Sequence, residues 1–157
     1  MLLGQNWRFD MSDNAVLAER EGWPIRRATA EDVPWLVKMG VKLYGDRLKN
    51  VEGTANWLTR MVNDPNCFIL RGKDAALIVL HAPSFFDPHP NSVSVPFFGG
   101  NPFALPRMFR LAAAWAKDRG YTDLFFKEST GVNIAPLARI LGAEATTPVY
   151  RMRLQNV

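Results

Sequence analysis

Cysteine is nearly absent from this chain. Cys67 is the only cysteine in 157 residues, which excludes an intrachain disulfide and a zinc site built from several cysteines. Histidine is also scarce, because the chain has only His81 and His89, with Asp87 between them. Their spacing matches no common metal-ligand motif. We therefore expect no metal site, and we expect Cys67, at the start of an apolar strand, to be a buried and unreactive thiol.

Long hydrophobic runs are missing as well. The longest aliphatic stretch covers residues 75–80, which is far too short to cross a bilayer. The first residues do not follow the basic, apolar and small-residue pattern of a secretory signal. These features predict a soluble protein of the cytoplasm.

The charges almost balance, with 19 basic against 15 acidic residues and a net charge of +4. With 48% hydrophobic residues, the length suits one globular domain. The excess of positive charge lies entirely in residues 101–157. Its basic residues are Arg107, Arg110, Lys117, Arg119, Lys127, Arg139, Arg151 and Arg153. This basic C-terminal region is either a solvated surface or a site for an anionic ligand or acidic partner, and no motif indicates nucleic-acid binding.

The N-terminal half predicts an arm followed by a strand and two helices. Residues 1–22 lack periodicity and carry Trp7 and Phe9. A short strand over residues 25–28 precedes a capping box that starts at Thr29 and ends at Asp32. A first helix follows, and Thr54 is the candidate cap of a second. The apolar positions of the two helices are Val33, Leu36, Val37, Gly40, Leu43, Tyr44, Trp57, Leu58, Met61 and Val62.

The middle of the chain predicts an antiparallel meander and a third helix. Strands over 67–70 and 75–81 flank a turn that contains Gly72, and a loop over 83–91 leads to a third strand over 92–98. Pro96 cannot donate to a ladder, so this strand must bulge or lie at an edge there. The third helix, over 103–119, ends at Gly120. Its predicted buried positions are Leu105, Met108, Ala112, Trp115 and Ala116.

The C-terminal part predicts strand, helix and strand. Residues 121–126 are rich in aromatic and β-favouring residues. Next comes a helix with Pro136 in its first turn, Gly142 at its end and one buried face. That face consists of Ile134, Leu137, Ala138 and Leu141. A last strand covers 149–154.

This order of elements, together with the block from Asn133 to Gly142, resembles the GNAT superfamily of acyl-CoA N-acyltransferases over residues 24–154. The resemblance implies an α/β (α+β) fold, with an antiparallel meander, then a parallel strand pair splayed at Pro96, and about four helices. The domains would be an arm over 1–22 and a GNAT-like domain over 23–157. The implied cosubstrate is acetyl-CoA.

Two departures from the family pattern concern acetyl-CoA. The family's diphosphate loop reads Arg/Gln-x-x-Gly-x-Gly/Ala, and the matching positions run from Gly100 to Leu105 without the arginine or the glycines. Pro102 also lacks a donor, and Phe103 crowds the approach of a ligand. The family's acid, a tyrosine four residues before the helix-ending glycine, is replaced by Ala138. We therefore expect weak or absent CoA binding.

The resemblance implies a CoA site along the bulged strand. Its candidate residues are Val95 and Phe97 on that strand, Gly99 and Gly100 as a displaced phosphate cradle, and Asn133 near the last helix. A Gly-Gly pair such as Gly99 and Gly100 is more often simply a turn, and Asn133 is also a good helix cap.

The candidate catalytic groups follow the strand over 121–126 or lie near the C-terminus. Glu128 is the candidate base, and Ser129, Thr130 and Tyr150 are candidate acids. Each is also compatible with an ordinary surface or capping role.

Two functions remain open from the sequence. One is an active transferase that acylates a small-molecule or peptide amine. The other is a catalytically degenerate GNAT-like protein with a binding or assembly role, resembling phage-encoded GNAT-like proteins, for which a virion is the alternative location. In that case Trp7, Phe9 and the basic C-terminal region would contact the partner.

Overall fold

A computed structural model of the chain describes residues 25–81, 90–127 and 133–145. Within these ranges the chain forms five strands and four α-helices. In chain order these are β1 (Arg26–Arg27), α1 (Val33–Tyr44), α2 (Val51–Met61), β2 (Cys67–Arg71), β3 (Ala75–Leu80), β4 (Ser92–Gly100), α3 (Leu105–Asp118), β5 (Asp123–Phe126) and α4 (Ala135–Leu141). Short 3₁₀ turns at Ala30–Asp32 and Gly45–Arg47 precede and follow α1. None of the described helices has the length and apolar character needed to span a membrane.

The five strands form one mixed sheet in the order β1-β2-β3-β4-β5. Strands β1 to β4 pair antiparallel, whereas β4 and β5 pair parallel. The parallel pair is connected by α3, as a crossover requires. The predicted fold class is therefore confirmed, including the meander and the parallel pair.

A β-bulge interrupts β4 at the proline predicted to cause one. Leu80 pairs with Ser94 and Ile78 pairs with Phe97. These two pairings are three residues apart on β4 but only two residues apart on β3, so β4 contains one extra residue. The side-chain alternation changes accordingly. Val95 is buried towards α3, and Phe98 is buried on that same side, although an uninterrupted strand would place them on opposite faces.

Each face of the sheet has its own core. One core joins β2, β3 and β4 to α3, and within it Phe68 stacks on Trp115 with 5.1 Å between ring centroids. The other core places α1 and α2 against the opposite face, including Leu36, Leu58 and Ile78. All five positions predicted to be buried on α3 are buried. The sheet thus lies between α3 on one face and α1 and α2 on the other. In this three-layer arrangement the ends of the strands lie between the helices, and a site can form there.

Asp32 is the one charged residue buried among the described residues, with 3% of its surface exposed. Its carboxylate accepts two hydrogen bonds from Arg26 at 2.6 and 2.7 Å, one from Arg71 at 3.0 Å, and the Thr29 backbone N–H at 2.8 Å. The last of these bonds confirms the predicted capping box. The Arg26 hydrogen bonds hold the pKa of Asp32 well below its usual range. This ionic cluster ties β1, β2 and the start of α1 together.

The second helix begins earlier than predicted. Asn50 is its cap, because Asn50 Oδ1 accepts the Gly53 N–H at 2.8 Å. Thr54 lies inside the first turn and its hydroxyl donates to the Asn50 carbonyl at 2.9 Å. Asparagine caps at least as well as threonine, so the prediction of a Thr54 cap is wrong.

Smaller differences occur at other element ends. α3 starts at Leu105 rather than at residue 103, and Phe103 is 81% exposed. β5 starts at Asp123 rather than at residue 121. The predicted inner face of α4 is only half-buried, although Ile134, Leu137 and Leu141 do pack on the core of α3. Burial of Cys67 is confirmed, and it raises the pKa of the thiol to about 12.

Candidate active site

A gap between two parallel strands is the main candidate site. Four residues of β4 pair with β5, and the last pair joins Val95 to Phe126. The next residue of β4 is Pro96, where the bulge lies. From Phe97 to Gly100, β4 pairs with β3 and with no other strand of the described residues. Within the described part of the chain, the backbone groups there that point away from β3 therefore have no strand partner and can meet an extended ligand.

An apolar pocket lies on the α1 and α2 side of the same bulge. Its volume is about 120 Å³. Its walls are Leu36 and Gly40 of α1, Leu48 of the connection, Thr54, Trp57 and Leu58 of α2, Ile78 of β3, and Pro96 and Phe97 of β4. Phe97 is held by a ring contact with Tyr44, with 5.1 Å between centroids. The bulge thus borders both the gap and the pocket.

The two glycines at the end of β4 have steric roles in the fold. Gly100 has a φ of 103°, and a Cβ there would lie 2.7 Å from Ala75 Cα and press on the Asp74 carbonyl. A Cβ on Gly99 would lie 2.6 Å from Leu43 Cδ1. Only glycine adopts the Gly100 conformation without strain. Their proposed role as a phosphate cradle stays a prediction beside this packing role.

Backbone donors of the diphosphate-loop segment are engaged within the protein. The Asn101 N–H donates to the Asp74 carbonyl at 2.9 Å. The Phe103 N–H donates to Asn101 Oδ1 at 2.9 Å, and the Ala104 N–H donates to the Asn101 carbonyl at 3.1 Å. Pro102 has no N–H. At four of the six positions from Gly100 to Leu105, therefore, the backbone either has no N–H or already donates it within the protein.

Asn133 lies one residue before Ile134, which is the N-cap of α4. Its side-chain oxygen accepts the Ala135 N–H at 3.0 Å, so it forms a turn next to the cap, and the interpretation of Asn133 as the cap itself is wrong by one residue. Its role in CoA binding is untested. Ala138, at the position of the family's acid, is half-buried on α4 and carries no ionisable group.

Several predicted site residues lie outside the described ranges. They are the catalytic candidates Glu128, Ser129 and Tyr150, the alternative acid Thr130, the arm residues Trp7 and Phe9, the loop residues Asp87 and His89, and the strand over 149–154. Their assignments stay predictions.

Part of the basic C-terminal region serves the fold itself. Arg110 of α3 donates to the Ile140 carbonyl of α4 at 3.2 Å. The Arg119 guanidinium lies 4.7 Å from the centroid of the Trp115 ring. These two charges therefore link elements or cover an aromatic surface, whereas a role for the region in partner binding is a proposal.

The sequence predictions missed the pocket as a site. The sequence pattern presents Gly40, Trp57 and Leu58 only as apolar helix positions, and it gives no signal at Leu48. One signal was present, because a glycine inside an amphipathic helix often marks close packing or a functional surface. Assembling the nine walls required the tertiary arrangement of both helices over the bulge.

Comparison with solved structures identifies the fold. An aminoglycoside 6′-N-acetyltransferase of Acinetobacter baumannii superposes with a TM-score of 0.68 at 11% sequence identity, over 84% of this chain and 97% of that chain. A protein of Clostridium acetobutylicum described as a predicted acetyltransferase, and solved with acetyl-CoA, gives a TM-score of 0.65 at 14% identity, over 86% of this chain and 98% of that chain. The chain has the GNAT fold.

The GNAT fold does not by itself settle an activity. A protein of Bacillus halodurans described as a transcriptional regulator superposes equally well, with a TM-score of 0.68 at 17% identity over 84% of this chain and 99% of that chain. No protein-family model matches the sequence, and no curated protein matches it. These three neighbours are bacterial, so the predicted resemblance to phage proteins gains no support from them. Function therefore depends on the site itself.

Proposed function

We propose that this protein is an N-acyltransferase that moves an acyl group from acyl-CoA to an amine. The observation that carries the proposal is the position of the bulge at Pro96, where the parallel ladder ends on one side and the apolar pocket begins on the other. A thioester in the gap and an amine at the edge of the pocket, beside Pro96, would meet at this point. Acetyltransferases among the similar structures support the choice of chemistry.

The described residues fit one part of acyl-CoA better than another. The pantetheine arm is an extended chain with amide groups, which suits the unpaired side of β4 beyond Val95. The diphosphate fits less well, because the Asn101, Phe103 and Ala104 N–H groups already have partners. We therefore propose a donor site that relies on the strand gap more than on the loop.

The reaction requires little from the protein besides placement. The amine nitrogen forms a C–N bond to the acyl carbon, the C–S bond breaks, and the proton lost by the amine ends on the thiolate. Glu128 is proposed to accept that proton, Ser129 or Tyr150 to donate its hydroxyl proton to the sulfur, and Glu128 then to return the amine proton to that hydroxyl, so the products are the amide and a free thiol. Orienting two reactants accounts for much of the rate in such a transfer.

We expect weak acetyl-CoA binding, with a dissociation constant above the micromolar range. Each missing hydrogen bond to a charged phosphate costs about 1.5–3 kcal/mol, so two missing bonds weaken binding by roughly two to four orders of magnitude. Calorimetric titration with acetyl-CoA measures this affinity. Replacing Pro102 by alanine restores one N–H and should tighten binding about tenfold. Pro34→Ala, the same change in the first turn of α1, is the control. Micromolar or tighter binding to the unaltered protein would contradict the prediction.

Acyl transfer itself is tested by thiol release from acetyl-CoA in the presence of a panel of amines. Amine-dependent thiol release, with the acetylated amine identified by mass spectrometry, would support the proposed function. If no amine class gives a product at a saturating concentration of acetyl-CoA, the result would count against the proposed function.

The engaged donors of the loop favour a second candidate, a GNAT-fold domain that binds a partner without acyl transfer. The same titration separates the two candidates. Absence of CoA binding at millimolar concentration would leave the binding or assembly role, with Trp7, Phe9 and the basic C-terminal region as the proposed contacts.

The two proposed site residues predict different kinetic defects. Asn133→Ala should weaken CoA binding severalfold, because the amide is proposed to lie against the cosubstrate. Glu128→Gln should lower kcat about a hundredfold with little change in CoA affinity, because it removes the proposed base. Steady-state kinetics with both substrates varied makes the distinction, and unchanged rates in both variants would refute the assignment.

A further inference from the structure

The apolar pocket beside the bulge offers a ligand almost no polar contact. None of the described residues that form its walls is ionisable, and most of them are aliphatic or aromatic. Its one hydroxyl, on Thr54, already donates to the Asn50 carbonyl at 2.9 Å. A charged or heavily hydroxylated group would lose its hydration there without compensation. The lining therefore favours a hydrocarbon group.

The size of the pocket limits that group to a short chain. An apolar cavity of about 150 Å³ in another protein holds benzene. The pocket has a volume of about 120 Å³, so on the same scale it holds roughly four or five carbons. The single methyl group of an acetyl chain would leave most of this volume empty, and the walls would lose the contacts that a larger group makes.

The β4 side of the pocket lies where the parallel ladder ends. Val95 is the last residue of β4 that pairs with β5, and the next two residues, Pro96 and Phe97, are walls of the pocket. A thioester held in the strand gap beside Pro96 would therefore have its acyl chain next to the pocket. The acceptor is less suited to the interior, because its amine is protonated in water and no carboxylate lines the pocket.

A longer acyl chain would also compensate for the diphosphate loop. The N–H groups of Asn101, Phe103 and Ala104 already have partners, so the phosphates of CoA gain little from them. Each methylene group that leaves water for an apolar pocket tightens binding about fourfold. Three further carbons would tighten it roughly fiftyfold, which is comparable to the loss of one hydrogen bond to a phosphate.

We propose that the acyl donor is a CoA thioester with a short acyl chain of about four to six carbons, such as butyryl-CoA or isovaleryl-CoA, and that acetyl-CoA is a poor donor. This inference rests on the proposed acyl transfer and names its donor. The chain would fill the pocket while the amine approaches at its edge. The acyl carbon exchanges its bond to sulfur for a bond to the amine nitrogen, and the products are the amide and the free CoA thiol.

A series of donors that differ only in the acyl chain tests the inference. Calorimetric titration compares acetyl-CoA, butyryl-CoA, isovaleryl-CoA and octanoyl-CoA, whose CoA parts are identical. Butyryl-CoA should bind about fifteenfold and isovaleryl-CoA about fiftyfold more tightly than acetyl-CoA. Octanoyl-CoA should bind no more tightly than isovaleryl-CoA, because its chain exceeds the pocket. Equal affinities for acetyl-CoA and isovaleryl-CoA would overturn the inference.

A variant that narrows the pocket localises the effect. Gly40→Ala adds a methyl group 3.6 Å from Leu48 Cδ2 and 4.0 Å from Phe97 Cε2, which both belong to pocket walls. Alanine is favoured over glycine within a helix, so the variant should fold. It should reduce the preference for isovaleryl-CoA over acetyl-CoA about tenfold. Val41→Ala, at an exposed position of α1 outside the pocket, is the control and should keep that preference.

A second variant changes the pocket in the opposite direction. Leu48 is half-buried, and Leu48→Ala enlarges the pocket, so the tightest donor should become octanoyl-CoA. Val51→Ala, at an exposed position of α2 outside the pocket, is its control. A general loss of stability would not move the preferred chain length in opposite directions. If both pocket variants shift the preference alike, or behave as their controls do, the placement of the chain is wrong.

Binding and turnover separate this inference from the proposed function. Tighter binding of isovaleryl-CoA, reduced in Gly40→Ala, would support the pocket assignment even if no amine is acylated, and that result would count against the transferase alone. Acylation of amines at equal kcat/KM from acetyl-CoA and isovaleryl-CoA would support acyl transfer and refute the donor. A Gly40→Ala effect on the KM of the amine, with the donor preference kept, would place the acceptor in the pocket and also refute it.

Discussion

Replacing Gly100 by alanine is expected to destabilise the protein by about 3 kcal/mol or more. The new Cβ would lie 2.7 Å from Ala75 Cα and against the Asp74 carbonyl, both of which are backbone atoms of the central strands or the turn between them. The φ of 103° adds strain that a side chain does not tolerate. Backbone strain and overpacking contribute about 1–3 kcal/mol each.

Thermal unfolding measures this effect, and Gly120 supplies the control. Gly120 also has a positive φ, of 86°, but no atom lies within 4 Å of the position that a Cβ would take there. Gly100→Ala should lower Tm by about 6–12 °C, from about 2–4 °C per kcal/mol for a chain of this size. Gly120→Ala should lower it by much less, because only conformational strain is added. Equal shifts would show that the close approach to Asp74 does not constrain the sheet.

Replacing Asp32 by alanine is the second change with a large expected effect. The carboxylate accepts hydrogen bonds from Arg26, Arg71 and the Thr29 N–H, and the Arg71 guanidinium lies 3.8 Å from the centroid of the Trp35 ring. Its removal leaves two guanidinium groups close together and breaks the capping box of the 3₁₀ turn that precedes α1. We expect a loss of about 3 kcal/mol, less than the upper values for buried pairs because Arg26 is half exposed.

The same carboxylate predicts acid sensitivity. Its pKa is lowered in the folded protein, chiefly by the Arg26 hydrogen bonds, so its stabilisation is complete above the ordinary aspartate pKa of about 3.9 and is lost as pH falls below that value. Urea unfolding between pH 6 and pH 2.5 should therefore show a steeper loss of stability for the natural protein than for Asp32→Asn. Asp118→Asn, at an exposed position near the end of α3, is the control. Parallel pH profiles for the natural protein and Asp32→Asn would contradict the assignment.

The fold was predictable from sequence because its signals are local. Apolar periodicity located the helices, and Gly120 and Gly142 marked two helix ends, where both have positive φ. Pro96 correctly indicated the bulge, since proline leaves few other possibilities within a paired strand. The cap of α2 was missed because Asn50 and Thr54 are both good capping residues, and choosing between them depends on where α1 and its connection end.

The candidate site was less predictable because it is formed by distant segments. The departures in the diphosphate loop were visible in the sequence, but the partners of its N–H groups were not, since Asp74 lies far from Asn101 in the chain. Asp32 was recognised as a capping residue, yet its pairing with Arg71 depends on strand register. The pocket combines two helices and two strands, and no single stretch carries its pattern.

The parallel pairing of β4 and β5 also has a consequence for the order in which this chain folds. Strands β2 and β3 are joined by a tight turn, so their pairing closes a short loop at small entropic cost. The β4 and β5 pair must instead wait until all of α3 has crossed the sheet. Contacts between segments distant in sequence slow folding, so we expect β1 and β5, which pair with residues 43–45 and 31 positions away, to dock after the β2 and β3 hairpin has formed. The gap at Pro96 would then be bounded by β5 only after that hairpin is in place.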